Sequence, residues 1–98
     1  MGWEEEWATE VVGTPLATRV TVTRLQGAGT AFDVELVPGR GTRWIAVGRA
    51  VRGLAQGGTS VSSAFAVEAG ATRPTVRLRW RDSHLGEVRA ADLPLSAA

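Results

Sequence analysis

The segment Thr75–Asp82 constrains this chain more than any other. Val76, Leu78 and Trp80 alternate with Arg77, Arg79 and Arg81, so apolar and cationic side chains recur with a period of two. A helix would scatter these residues around its axis; an extended strand puts the apolar set on one face and the arginines on the other. The segment is therefore read as a half-buried strand.

The same period runs through most of the chain. Val20 and Val22 alternate with Arg19, Thr21 and Thr23 across Thr18–Leu25, a run rich in β-branched residues. Gln26-Gly27-Ala28-Gly29 breaks that run. Phe32, Val34 and Leu36 then alternate with Asp33 and Glu35, which are expected to point outward. Pro38-Gly39-Arg40-Gly41 reads as a turn. Arg43–Arg49 is apolar on both faces, with Trp44 and Ala46 opposite Ile45 and Val47, so it reads as a central strand. Ala50–Ala55 is a connector to the Gln56-Gly57-Gly58 turn. Val61, Phe65 and Val67 then face inward against Ser60, Ser62 and Glu68. After the Gly70–Pro74 loop and the Thr75–Asp82 strand, Ser83-His84-Leu85-Gly86 forms a turn and Glu87–Leu95 the hairpin partner, with Pro94 at a strand end or edge.

Residues 1–12 form an acidic, Trp-containing arm or a first strand, and residues 13–98 the β domain. Trp3 and Trp7 lie four apart, on one helical face. Trp7–Val12 reads equally as a strand, and Ala8–Val12 is assigned to one. No stretch keeps helical apolar spacing over three turns. Six or seven short strands separated by glycine-rich turns predict an all-β fold: an antiparallel sandwich of about seven strands, with a small barrel as the alternative.

Composition excludes several chemistries. The chain has 98 residues, room for a single domain. It contains no cysteine, which removes disulfides, thiolate metal sites and cysteine nucleophiles. All eleven basic residues are Arg, so there is no Lys for a phosphate loop or a Schiff base. One histidine, His84, does not build a multi-histidine zinc site. No cofactor is expected. No apolar run approaches the roughly 18 residues of a membrane span, so membrane insertion is not expected. Met1 is followed by Trp3, Glu4, Glu5, Glu6 and Trp7, the opposite of a basic start and an apolar leader; location stays open, with the cytoplasm as default. The wealth of Arg and Ala points to a high-GC genome.

Several stretches resemble bacterial immunoglobulin-like domains. Val20-Thr-Val-Thr-Arg-Leu25, the Gly27/Gly29 turn and Phe32-Asp-Val-Glu-Leu36 are similar to their opening strands. Val51-Arg-Gly-Leu54-Ala-Gln-Gly-Gly58 with Val61 and Phe65 resembles the turn before a later strand, with Gln56 where those domains carry Pro. Thr75–Asp82 and Glu87–Leu95 resemble the closing hairpin. The resemblance covers about Leu16 to Leu95. It implies a two-sheet immunoglobulin-like sandwich used for adhesion, spacing or protein contact, without catalytic residues. It also implies a core Trp, a role that falls to Trp44 with Trp80 beside it. The chain departs from the immunoglobulin pattern in lacking the paired Cys and the tyrosine corner.

Two constellations are candidate partner-binding sites. Arg77, Arg79 and Arg81 stand about 6.6–6.8 Å apart along one strand face, two residues of rise. That spacing suits an acidic protein partner, because guanidinium forks bind carboxylates in pairs. It also suits a nucleic-acid backbone, although a net charge of +1 is small for one. The alternative is a solvated outer face, with the arginines paired to Glu87 or to the glutamate-rich arm. A second basic group, Arg40, Arg43, Arg49 and Arg52, flanks Trp44. Trp3 and Trp7 either pack on the sandwich and cover an edge strand, or anchor in a partner. Asp82-Ser83-His84 holds the residue types of a catalytic triad, but three consecutive turn residues do not converge as a triad must. The expected function is therefore a non-enzymatic protein-interaction or structural module, acting through Trp3, Trp7, Arg77, Arg79 and Arg81 on a protein partner or a second copy. A small basic barrel that binds nucleic acid is the alternative.

Overall fold

The computed structural model describes residues 2–45 and 55–95. Seven strands follow a short 3₁₀ turn at Trp3–Glu5. They are β1 (Trp7–Thr14), β2 (Ala17–Arg24), β3 (Phe32–Pro38), β4 (Thr42–Trp44), β5 (Ser60–Val67), β6 (Thr75–Arg81) and β7 (Val88–Pro94). They form two antiparallel sheets, one in the order β1-β2-β5-β4 and the other β3-β6-β7. The sheets are not closed into a barrel. The fold is the expected all-β sandwich, and the barrel alternative is set aside.

The period of two explains the layers. Val20 and Val22 of β2 and Phe65 of β5 project from one sheet; Val34 and Leu36 of β3, Val76, Leu78 and Trp80 of β6, and Leu93 of β7 project from the other. All are buried and form one core. Within the second sheet the register sets Leu36 beside Leu78 and Val76 beside Leu93, so like sizes face across the strands. Pro15 and Leu16 form a two-residue turn between β1 and β2, closed by the Thr14–Ala17 pair. Gly13 just before it has φ +111°, and a Cβ there would lie 2.2 Å from the Ala17 carbonyl oxygen, so only glycine fits.

Three expectations are corrected. First, the strand from Arg43 is not central. Among the described residues it spans Thr42–Trp44, pairs with β5 alone and ends its sheet. Ile45 follows it at a bend, and the rest of its expected continuation and the 51–54 stretch lie outside the described residues, as do Arg49 and Arg52. Second, Trp44 does not sit beside Trp80. It is half-buried and stacks on Phe65 with centroids 5.1 Å apart, while Trp7 packs against Trp80. Third, Glu35, expected to point outward, is buried, although the register sets it opposite Arg79. A β-bulge between Phe32 and Glu35, with Asp33 at φ +52°, makes Val34, Glu35 and Leu36 all buried. Strict alternation does not anticipate such an inserted residue.

Leu78, at the middle of β6 and fully buried, tests this core. Leu78→Ala is expected to lower unfolding free energy by about 2–5 kcal/mol in urea titration. Leu85→Ala, at a side chain 97% exposed, should stay within about 0.5 kcal/mol of the parent.

Candidate functional site

The three arginines of β6 stand on the outer face, each beside a carboxylate from a neighbouring strand. Arg77 donates from Nε to Asp92 Oδ1 at 3.0 Å, its register partner on β7. Arg79 donates from Nε and Nη2 to Oε1 of Glu35, its register partner on β3. Arg81 lies 3.6 Å from Asp33, which the bulge turns outward. The row is thus paired by strand neighbours, not by Glu87 or the acidic arm. Asp92 raises the Arg77 pKa above its ordinary value, by its hydrogen bond first and its charge second. All three guanidinium groups keep substantial exposure, with side chains 36–49% accessible.

One end of this row opens into a groove of about 830 Å³. Arg77 and Arg79 line it together with Arg40, Arg73, Asp92 and three prolines, Pro38, Pro74 and Pro94. Arg40 follows β3 and Arg73 precedes β6, and two hydrogen bonds between Arg40 and Thr75 tie these segments. Thr75 N donates to Arg40 O at 2.8 Å, and Arg40 N donates to Thr75 Oγ1 at 3.0 Å. Among the described residues neither Arg40 nor Arg73 is engaged in an ion pair. The groove therefore sets four guanidinium groups against one lining carboxylate. Arg81 is not part of it. The sequence placed Arg40 in a turn, as one of a second basic group flanking Trp44, and gave Arg73 no role; their one signal is a position in Gly/Pro-rich turns at strand ends.

The tryptophan arm has a different fate. Trp7 is 2% exposed and belongs to the core, so it offers a partner no surface, and its candidacy as a binding residue is withdrawn. Trp3 is half-buried and packs against the same core. Trp7 meets Trp80 edge to face, with centroids 5.6 Å apart and planes at 68°. A guanidinium group caps each ring: Arg24 lies 4.9 Å from the Trp7 centroid and Arg89 4.8 Å from that of Trp80. Glu6 bridges the two cations. It accepts from Arg89 Nη1 at 2.9 Å and Nη2 at 2.5 Å and lies 3.5 Å from Arg24 Nη2. Arg89 also donates to Asp82. Hydrogen bonding to Glu6, opposed by burial and helped by Asp82, raises the Arg89 pKa. A base raised in the folded state gives its full stabilisation below its ordinary pKa and loses it only as pH rises through the folded value. Arg89 therefore stays charged far above neutrality.

Arg24 is a functional residue of the fold to which the sequence reading gave no role. It is 1% exposed, at a position in phase with Val20 and Val22. Its Nε donates to Gly29 O at 2.9 Å and its Nη2 to Ala28 O at 2.8 Å, tying down the loop that crosses from β2 to β3. Arg24 and Glu6 thus serve the fold rather than a ligand.

The triad residue types do not assemble. The Asp82 carboxylate is held by Arg89, and the His84 ring tilts against Phe32 with centroids 4.3 Å apart. No group of three or more metal-ligating side chains occurs among the described residues. Among the same residues, no helix is long and apolar enough to cross a membrane. Comparison with known protein families, with curated proteins and with solved structures finds no match to this chain.

Removing Glu6 leaves a buried guanidinium without its carboxylate. Glu6→Gln is expected to cost about 2–4 kcal/mol of unfolding free energy, at or below the usual range for breaking a buried pair because Glu6 keeps some solvent contact. Arg77→Ala, at an exposed pair, should leave the melting temperature nearly unchanged. Thermal unfolding followed by circular dichroism measures both.

Proposed function

We propose that this protein is a non-enzymatic contact module on an immunoglobulin-like sandwich, and that its arginine groove receives an acidic segment of a protein partner. The strand order supports the fold part of this reading. β1-β2-β5-β4 packed on β3-β6-β7 has the order of strands A-B-E-D and C-F-G in constant-type immunoglobulin sandwiches. The single observation behind the functional part is the excess of cations in the groove: among the described residues Arg40 and Arg73 make no ion pair, beside Arg77 and Arg79, which Asp92 and Glu35 hold.

Guanidinium groups bind carboxylates through paired, charge-assisted hydrogen bonds. Arg77 and Arg79 are held in place by Asp92 and Glu35, which costs a ligand less ordering entropy than catching loose side chains. Arg40 and Arg73 supply charge that strand neighbours do not neutralise. The prolines give the groove stiff apolar walls suited to an extended backbone. A nucleic-acid strand is the less favoured ligand, because a net charge of +1 is small for a surface that must neutralise a run of phosphates.

Fluorescence anisotropy with a labelled glutamate-rich peptide, beside a single-stranded oligonucleotide of equal charge, tests this reading. The peptide should bind, and Arg40→Glu combined with Arg73→Glu should weaken it about tenfold or more, equivalent to about 1.4 kcal/mol or more. Both side chains are exposed and the fold should be unaffected. Absence of peptide binding in about 50 mM salt, or binding indifferent to the double variant, overturns the proposal. Preference for the oligonucleotide replaces it with the nucleic-acid reading.

A further inference from the structure

The sandwich has four outer strands, and three carry devices that discourage pairing with another chain. β3 has its bulge and ends in Pro38, β7 carries Arg89, Asp92 and Pro94, and β4 is three residues long among the described residues. β1 has none of these. Over eight residues it pairs with β2 in unbroken register, with no proline and a single charge, Glu10. From Ala8 to Thr14 every residue is exposed, including Val11 at 42% and Val12 at 50%. Val11 also lines an apolar groove of about 700 Å³ with Gly13, Val67, Ala71 and Leu95.

The direction of the main-chain bonds follows from the ladder. Leu25 N donates to Glu6 O at 2.9 Å, so Glu6–Leu25 is a hydrogen-bonded pair. Bonded and non-bonded pairs alternate in antiparallel strands. Ala8, Glu10, Val12 and Thr14 thus bond to β2, while Thr9, Val11 and Gly13 turn their N–H and C=O groups to the free edge. Arg24, opposite Trp7, fits this parity: its N–H goes the other way, to Thr59 O at 2.9 Å.

We infer that β1 is a self-association edge, and that two copies of this chain join by antiparallel β1–β1 pairing about a two-fold axis at Val11. Edge-facing residues must lie opposite edge-facing ones, which places the axis on a residue and not between two. An axis at Glu10 would set two glutamates directly opposite each other, and one at Thr9, Val12 or Gly13 shortens the overlap. Val11 is the centre of the exposed strand and gives the longest overlap. There Val11 exchanges two main-chain bonds with its twin, and Thr9 pairs with Gly13 of the other copy. Val11 projects on the same face as Trp7, so the two valines extend the apolar inner face over the open groove. On the outer face Glu10 of one copy falls beside Val12 of the other, whose own β2 neighbour is Arg19. Glu10 and Arg19 then lie two strand spacings apart, about 10 Å between backbones, within mutual attraction of a long side chain. No like charges meet at the axis. An isologous contact of this kind closes at two copies.

Sedimentation velocity on the whole chain tests this from about 10 μM to about 1 mM, where mass action favours the dimer. The expected species is twice 10.3 kDa. Val11→Pro removes an edge-facing N–H that β2 does not use, so the fold should persist while the dimer dissociation constant rises about tenfold or more. If circular dichroism shows Val11→Pro unfolded, charge exchange decides instead. Glu10→Arg should weaken the dimer, and Glu10→Arg with Arg19→Glu should restore it. A monomer at every concentration overturns the inference, and so does a dimer indifferent to these substitutions.

Discussion

The two sheets are held in register at one end by a charge that sits where a hydrophobe would be expected. Arg24 occupies a core position of β2, and its burial is costly unless every part of the guanidinium meets a compensating group. Two loop carbonyls, the Glu6 carboxylate and the face of Trp7 provide most of that compensation. Glu6 also binds Arg89 from the opposite sheet, so one carboxylate connects cations on both layers. The Trp7–Trp80 contact lies between them. The loop from β2 to β3, the entry to β1 and the β6–β7 hairpin all depend on this cluster.

A chain without cysteine needs such a device. Many small sandwiches pin their layers with a disulfide through the core; here aromatic area and enclosed charge serve instead. The ring pair contributes area and directional contact, and the cations on its faces add attraction that grows as water is excluded. The acidic arm is thereby drawn into the structure at Glu6, while Glu4 and Glu5 remain exposed. On the other layer, the β6 face and the groove beyond it bring five arginines together, Arg40, Arg73, Arg77, Arg79 and Arg81.

The proposed contact surfaces follow from that division. With the tryptophans packed inside and around the core, the two proposals rest on other exposed features among the described residues: the guanidinium groups of the groove and the edge of β1. The β6 row is fixed by its carboxylates, whereas Arg40 and Arg73 at the groove mouth are not. The β1 edge differs in kind: it offers main-chain groups and two valines, and its complement is another edge of the same pattern.

Local patterning is enough to assign the all-β class, most strand positions and the sidedness of β6. Those depend on a period of two and on turn residues, both of which are local. Val76, Leu78 and Trp80 had to face inward because no other arrangement buries them together. The partners of the arginines were not legible, because Asp92, Glu35 and Asp33 meet them through strand register and a bulge. The place of Arg24 was not legible, because its phase with Val20 and Val22 points inward while its charge points outward, and only the enclosing carbonyls, carboxylate and ring make the inward position tolerable. Trp7 was undecided between core and surface for the same reason: its neighbours come from β2 and β6, far along the chain. The groove existed in the sequence only as separate turns. Tertiary structure decided it, because charges distant in sequence become one site only when the folded backbone brings their strand ends together.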